Sequence, residues 1–150
     1  MEVSLVPPSE IHRVWPTALP MILDSITASG NRESLDNILF RLMDAWENHI
    51  ASSLWVAFDD DFVIRAAAIL DKVEYPDNMS VMRVSHIGGV NGIKWFRPMY
   101  KQFNSFARDN DCDYLEAECI PKWDAFMKRY GAEELSRIYR LPVLDEIAGD

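Results

Sequence analysis

Apolar side chains at Leu35, Ile38, Leu39, Leu42, Met43, Trp46 and Ile50 recur at helical intervals, and Asp36, Asn37, Arg41, Asp44 and Glu47 take the opposite face. This spacing predicts an amphipathic helix lying on a sheet with one side wet. Upstream, residues 8–29 carry a first stripe at Ile11, Val14 and Trp15 and a second at Leu19, Ile22, Leu23 and Ile26, interrupted by Pro16 and Pro20. Two helical pieces with a break are expected, with Pro16 in the first turn of the second piece and Gly30 ending it.

The period then changes. Residues 54–58 form a short apolar run, Asp59, Asp60 and Asp61 follow, and a β-rich stretch over 62–75 leads to Pro76, which is the pattern of a hairpin. After a turn at Pro76, Asp77 and Asn78, residues 79–87 alternate as a third strand, with Met82, Val84 and His86 on one face and Arg83 and Ser85 on the other. Gly88, Gly89 and Gly92 break that strand. Phe96, Met99, Tyr100, Phe103, Phe106 and Ala107 then mark a second amphipathic helix, which runs out near Asp109, Asn110 and Asp111. A strand over 114–120, a short helix carrying Trp123, Phe126, Met127 and Tyr130 and stopped by Gly131, and a last strand over 135–143 complete the pattern. The order predicts an α+β fold: a mixed, mostly antiparallel central sheet flanked by helices on both faces. A single domain is expected over residues 1–143, with 144–150 as a flexible tail.

Composition narrows the function. The chain has 150 residues, with 24 Asp and Glu against 15 Lys and Arg, for a formal charge of -9. An acidic chain whose basic residues are scattered is poorly suited to neutralise phosphates, so direct nucleic-acid binding is not expected. A hydrophobic fraction of 49% with 26% charged residues is that of an ordinary globular chain rather than a disordered one. No apolar run approaches a membrane span, and residues 1–8 lack a basic leader, so no membrane association and a cytoplasmic location are expected.

Cys112 and Cys119 are too few for a disulfide framework or a zinc cage and read as reduced thiols. His12 and His49 form no metal motif with them, and the three aspartates lack the ligand spacing and the glycine of a calcium loop. No metal is expected. The segment Gly88-Gly89-Val90-Asn91-Gly92 joins a strand to a helix, where the first helical N–H groups have no internal partner and point outward. Such a turn either holds an anionic ligand or merely makes the connection.

Leu54-Trp55-Val56, the Tyr75-Pro76 turn, His86-Ile87-Gly88-Gly89 with Trp95 following, Asp111-Cys112-Asp113-Tyr114, and Trp123 ahead of Tyr130-Gly131-Ala132 together resemble the GNAT acetyltransferase superfamily, in particular the short GNAT-like proteins of tailed phages. Ile138-Tyr139-Arg140-Leu141 is similar to the terminal strand of that group, and the resemblance covers residues 35–143. It implies a V-shaped splay between central strands, acetyl-CoA in the opening with its pyrophosphate at the N-terminus of the central helix, and an amine entering from the other side.

The cofactor loop then falls on Gly88, Gly89, Val90, Asn91, Gly92 and Lys94. The family pattern is Arg or Gln, two residues, Gly, one residue, and Gly or Ala. With Gly92 at the first of those glycines, Gly89 stands at the Arg/Gln position and Lys94 at the last, and both depart from the pattern. Lys94 offers a positive partner for phosphate in exchange. Where many members carry a Tyr four residues before the helix-ending Gly, this chain has Met127, which cannot protonate a leaving thiolate; Tyr130 and Tyr139 are either substitutes or packing residues.

His86, at the end of the strand entering the turn, is the candidate general base, or else a histidine that only bonds the backbone. Glu116 and Glu118 alternate onto one strand face beside the opening, where they orient an amine or merely face water.

Two functions follow from the resemblance. One is an acetyl-CoA-dependent N-acetyltransferase, whose negative charge favours a cationic amine such as a polyamine or a lysine-bearing or N-terminal peptide. The other is a non-catalytic phage protein of the same fold, a virion component or a binder of a host protein, working in the host cytoplasm or the virion. That reading accounts for both departures from the motif.

Overall fold

Alternating side chains divide the sheet into two unlike faces. In a computed structural model, β1 (Glu2–Leu5), β2 (Ser52–Phe58), β3 (Ile64–Glu74), β4 (Ser80–Gly89) and β5 (Tyr114–Ala117) lie side by side in sequence order. Neighbours are antiparallel up to β4, and β5 runs parallel to β4. The expected α+β architecture is the one adopted. The structure describes residues 1–29, 32–48, 52–118, 123–136 and 139–145, and they fall into two units, Met1–Ile120 and Pro121–Asp150.

In the first unit, Leu54 and Val56 of β2 and Ala67 and Ile69 of β3 face α1 (Ile11–Ser29) and α2 (Leu35–Asn48). There they join Ile11, Trp15, Ala18, Ile22, Ile38 and Leu42 in one buried cluster. Trp55, on the alternate pleat, meets α3 (Gly92–Asp109) on the other face, edge-on to Phe103 and Phe106 with ring centroids 5.6 and 5.0 Å away. Ser34 caps α2, its Oγ accepting the Asn37 N–H at 3.1 Å, and this fixes where the preceding residue, Glu33, leaves the chain.

Three elements of this unit differ from the sequence pattern. The expected break in the first helical segment is absent: after a 3-10 turn at Pro8–Glu10, α1 runs unbroken through Pro16 and Pro20. Both prolines lie on its exposed face, where water can satisfy the carbonyls they leave unpaired, while Trp15, Ala18 and Ile22 bury the opposite side. β1 carried no sequence signal because it is short and mostly exposed, yet it pairs with β2 from Glu2↔Phe58 to Leu5↔Trp55.

β4 also continues through the glycines expected to break it. A Cβ on Gly88 would sit 2.2 Å from the Met21 carbonyl oxygen, and one on Gly89 would sit 2.4 Å from that of Arg65. These residues are glycines because α1 and β3 press against the strand.

In the second unit, α4 (Asp124–Arg129) ends at Tyr130, and Gly131 follows at φ +76°, the left-handed stop the sequence predicted. The strand expected over 135–143 is not present among the described residues. Leu135, Tyr139, Leu141 and Val143 are exposed. Cys119 and Ile138 lie outside the described residues.

Candidate functional site

A single extra residue in β4 builds the site. Opposite β3, Ile69 pairs with His86 and Leu70 with Val84, so Ser85 has no partner across the ladder. This bulge turns Ser85 and His86, neighbours in sequence, onto the same α1/α2 face. The strict alternation expected from sequence, with His86 and Ser85 on opposite faces, is therefore corrected. The bulge also marks where β4 and β5 part: their parallel pairing runs from Val81↔Tyr114 to Val84↔Ala117 and stops, while β4 continues to Gly89.

Around the bulge lies a linked set of polar groups. Asp71 of β3 receives the Arg41 guanidinium of α2 through Nε on Oδ1 and Nη2 on Oδ2, each at 3.0 Å. The hydroxyls of Ser52 and Ser85 donate to the same carboxylate. Arg41 Nη1 reaches on to Glu33 Oε2, which also accepts from Asn37 Nδ2 at 2.7 Å. Glu33 Oε1 lies 2.8 Å from His86 Nε2. Toward β5, Tyr75 donates its hydroxyl proton to Glu116 Oε1 at 2.7 Å, and Arg83 Nη2 donates to the Tyr75 oxygen at 2.9 Å.

These groups border a cleft of about 450 Å³ whose walls include Glu33, Arg41, Asp71, Arg83, Ser85 and Glu118. That volume suits a small acceptor. Arg41 is matched by Glu33 and Asp71, and Arg83 lies 3.4 Å from Glu116. Glu118 is exposed, and among the described residues no hydrogen bond or ion pair engages it. Of the two expected acidic residues, Glu116 is thus committed to Tyr75 and Arg83, and Glu118 is an exposed carboxylate on the cleft wall.

Burial pushes the Glu33 carboxyl up, but donors from His86, Arg41 and Asn37 outweigh it and hold the group below its ordinary value of 4.5. A carboxyl depressed by folding adds stability that is complete above the unfolded value and is lost as pH falls through the folded one. Urea midpoints taken from about pH 6 down to about pH 3 should therefore fall more steeply in the native chain than in Glu33→Gln. Equal slopes would show that the network does not hold this charge.

The turn between β4 and α3 is built differently from its sequence reading. Val90 donates its N–H to the Arg65 carbonyl at 3.0 Å and accepts Trp95 Nε1 at 2.8 Å. Asn91 then turns the chain at φ 56° and ψ 57°, the left-handed conformation that asparagine tolerates, and α3 starts at Gly92. Gly88 and Gly89 sit back in β4, packed as described. Among the described residues the N–H groups of Asn91, Gly92 and Ile93 have no hydrogen-bond acceptor, and the exposed Lys94 lies one residue on.

Asp59, the first of the three aspartates, organises its own hairpin: Oδ1 accepts from the Asp61 and Val63 N–H groups and Oδ2 from Arg65 Nε. Among the described residues no His, Cys, Asp and Glu group gathers in a way that could hold a metal ion, and no helix is long and apolar enough to cross a membrane. The Cys112 thiol is pushed up by burial, the state of an unreactive side chain.

The site residues missed in the sequence are Glu33, Arg41, Asp71 and Ser85. Asp71 did leave a signal, since it ends the buried run Ala66–Leu70 with a charge. Arg41 was expected on the wet face of its helix.

No family model matches the chain, and no curated protein matches it at a significant level. Solved structures do match. A mutant of the BH1408 protein from Bacillus halodurans superposes with a TM-score of 0.68 at 17% identity, over 96% of this chain and 100% of that one. A predicted acetyltransferase of Clostridium acetobutylicum, solved with acetyl-CoA, gives 0.64 at 14% identity over 97% of each chain. An aminoglycoside acetyltransferase from an uncultured soil metagenomic sample gives 0.68 at 13% identity, over 95% of this chain and 98% of that one. At these identities the likeness establishes the fold, and the chain carries the GNAT fold.

Proposed function

We propose that this chain is an acetyl-CoA-dependent N-acetyltransferase acting on a cationic amine. The observation that carries the reading is the parting of β4 from β5 directly after Val84↔Ala117. At that point the bulge turns Ser85 to the cleft wall with His86 buried behind it against Glu33, and α3 begins a few residues later with open N–H groups. The residues present fit the cofactor: the N–H groups of Asn91, Gly92 and Ile93 would hold its pyrophosphate, with Lys94 adding charge. Bound there, acetyl-CoA supplies an acetyl group activated as a thioester.

The chain's own residues supply orientation and proton transfer. Glu118 draws an ammonium group to the cleft mouth, and the Asp71, Arg41 and Glu33 network keeps the wall fixed without reorganisation. His86 receives the proton the amine gives up. The acidic surface favours cations over anions at encounter.

A thiol-release assay with acetyl-CoA and a panel of polyamines, lysine-bearing peptides, aminoglycosides and acidic amines tests this. Turnover on cationic amines that drops about tenfold in KM terms for Glu118→Gln is the expected result. No turnover on any amine would favour the non-catalytic reading, in which the fold serves binding alone.

A further inference from the structure

We propose that Ser52 and Ser85 hold the amine substrate by two N–H groups of one nitrogen, which makes the cleft selective for primary amines. This deepens the transferase reading above, on which the identity of the ligand rests, by giving the cleft its binding residues and a substrate class. Asp71 of β3 organises the pair. Its carboxylate receives four donors: Nε and Nη2 of Arg41 and the hydroxyls of Ser52 and Ser85. A carboxylate only accepts, at about four lone-pair sites, so Asp71 has none left for a ligand.

It instead fixes the two serines. Each hydroxyl has a single proton, and both protons point at Asp71, that of Ser52 at Oδ1 and that of Ser85 at Oδ2. What remains on each oxygen is lone pairs, and among the described residues no donor fills them. Both serines line the cleft, and neither is closed to solvent. The bulge is what brings Ser85 to this wall beside Asp71. The cations nearby do not reverse its polarity. Arg41 is turned to Asp71 and Glu33, and Arg83 to Tyr75 and Glu116. Lys72 borders the cleft but alternates with Asp71 along β3, so its side chain takes the other face of the sheet, where its charge acts on the Cys112 thiol.

A wall that only accepts matches a group that only donates. An ammonium has three N–H donors and no acceptor. Once neutral, a primary amine has two N–H bonds and one lone pair, and with both bonds held by Ser52 and Ser85 the lone pair is the direction left open, away from Asp71. Ser85 is the first residue of β4 past its parting from β5, so the nitrogen is held at the mouth of that opening. A tertiary amine brings one N–H when protonated and none when neutral, which leaves at least one serine without a donor.

Two dications of equal charge separate hydrogen bonding from simple attraction: 1,4-diaminobutane, with three N–H on each nitrogen, and its N,N,N′,N′-tetramethyl analogue, with one. Nitrogen-15 NMR titrations of the full chain without cofactor read both affinities at the backbone signals of Ser52 and Ser85, and the same spectra report whether each variant folds. The primary diamine should bind about tenfold more tightly. Threonine and valine have the same shape and differ by a hydroxyl against a methyl, so Ser85→Thr should keep that ratio and Ser85→Val should lose most of it, as should Ser52→Thr and Ser52→Val in turn. In the thiol-release assay each valine variant should raise KM for the primary diamine about tenfold. Equal affinities for the two diamines, no binding of the primary one at on the order of 10 mM, or a native ratio in both valine variants overturns the role of the serines and leaves the transferase reading standing. The expected ratios in a chain that acetylates no amine remove the transferase reading and keep the serines as an amine-binding pair.

Discussion

His86→Gln is expected to lose on the order of a thousandfold in kcat, with acetyl-CoA affinity preserved. The side chain is the proposed acceptor of the amine proton, and glutamine keeps its bulk and a hydrogen bond to Glu33 but cannot take that proton. Rate measurements over a pH series distinguish this from a packing role, because a structural histidine would lower affinity and stability instead. A variant that turns over within a fewfold of the native chain would remove His86 from the chemistry.

Gly88→Ala is the substitution expected to damage the fold most. The added methyl would meet the Met21 carbonyl oxygen at 2.2 Å, a backbone atom of α1 that can move only if the helix moves. Overpacking of this kind costs about 2–3 kcal/mol, a drop in Tm on the order of 10 °C. Gly131→Ala gives the contrast. It sits at φ +76° with nothing within 4 Å of the new Cβ, so its cost is backbone strain alone, about 1 kcal/mol. Denaturant midpoints compare the two, and a Gly88→Ala chain as stable as the native one would mean that α1 does not pack where the structure puts it.

The fold was legible where a periodic face is long. α2 and α3 came from helical spacing, the strands over 54–58 and 62–75 from apolar and β-rich runs between turn residues, and the strand over 79–87 from alternation, because burial forces those patterns. The length of α1 was not legible, since local proline chemistry argues for a break and only the sheet beneath Trp15, Ala18 and Ile22 overrides it. The last strand is not present among the described residues: apolar alternation at Tyr139, Leu141 and Val143 says that a strand is possible, and alternation alone does not say that it pairs.

The site was legible in part. His86 and the β4 to α3 turn were found because histidine and glycine stand out on a strand. The partners of His86 were not, because a bulge has no signature of its own and it alone decides that Ser85 and His86 share a face with Arg41, Asp71 and Glu33. The same geometry reassigns Gly88 and Gly89 from ligand approach to close packing.

Acetyl transfer by this chain requires cofactor binding at the start of α3. Isothermal titration of acetyl-CoA into the native chain and into Gly92→Asp measures it most directly, since an added carboxylate at the first helical N–H groups repels the pyrophosphate while leaving the strands untouched. Saturable heat in the native chain that disappears in Gly92→Asp is the predicted result; no heat at millimolar acetyl-CoA, or equal binding by both, would contradict it.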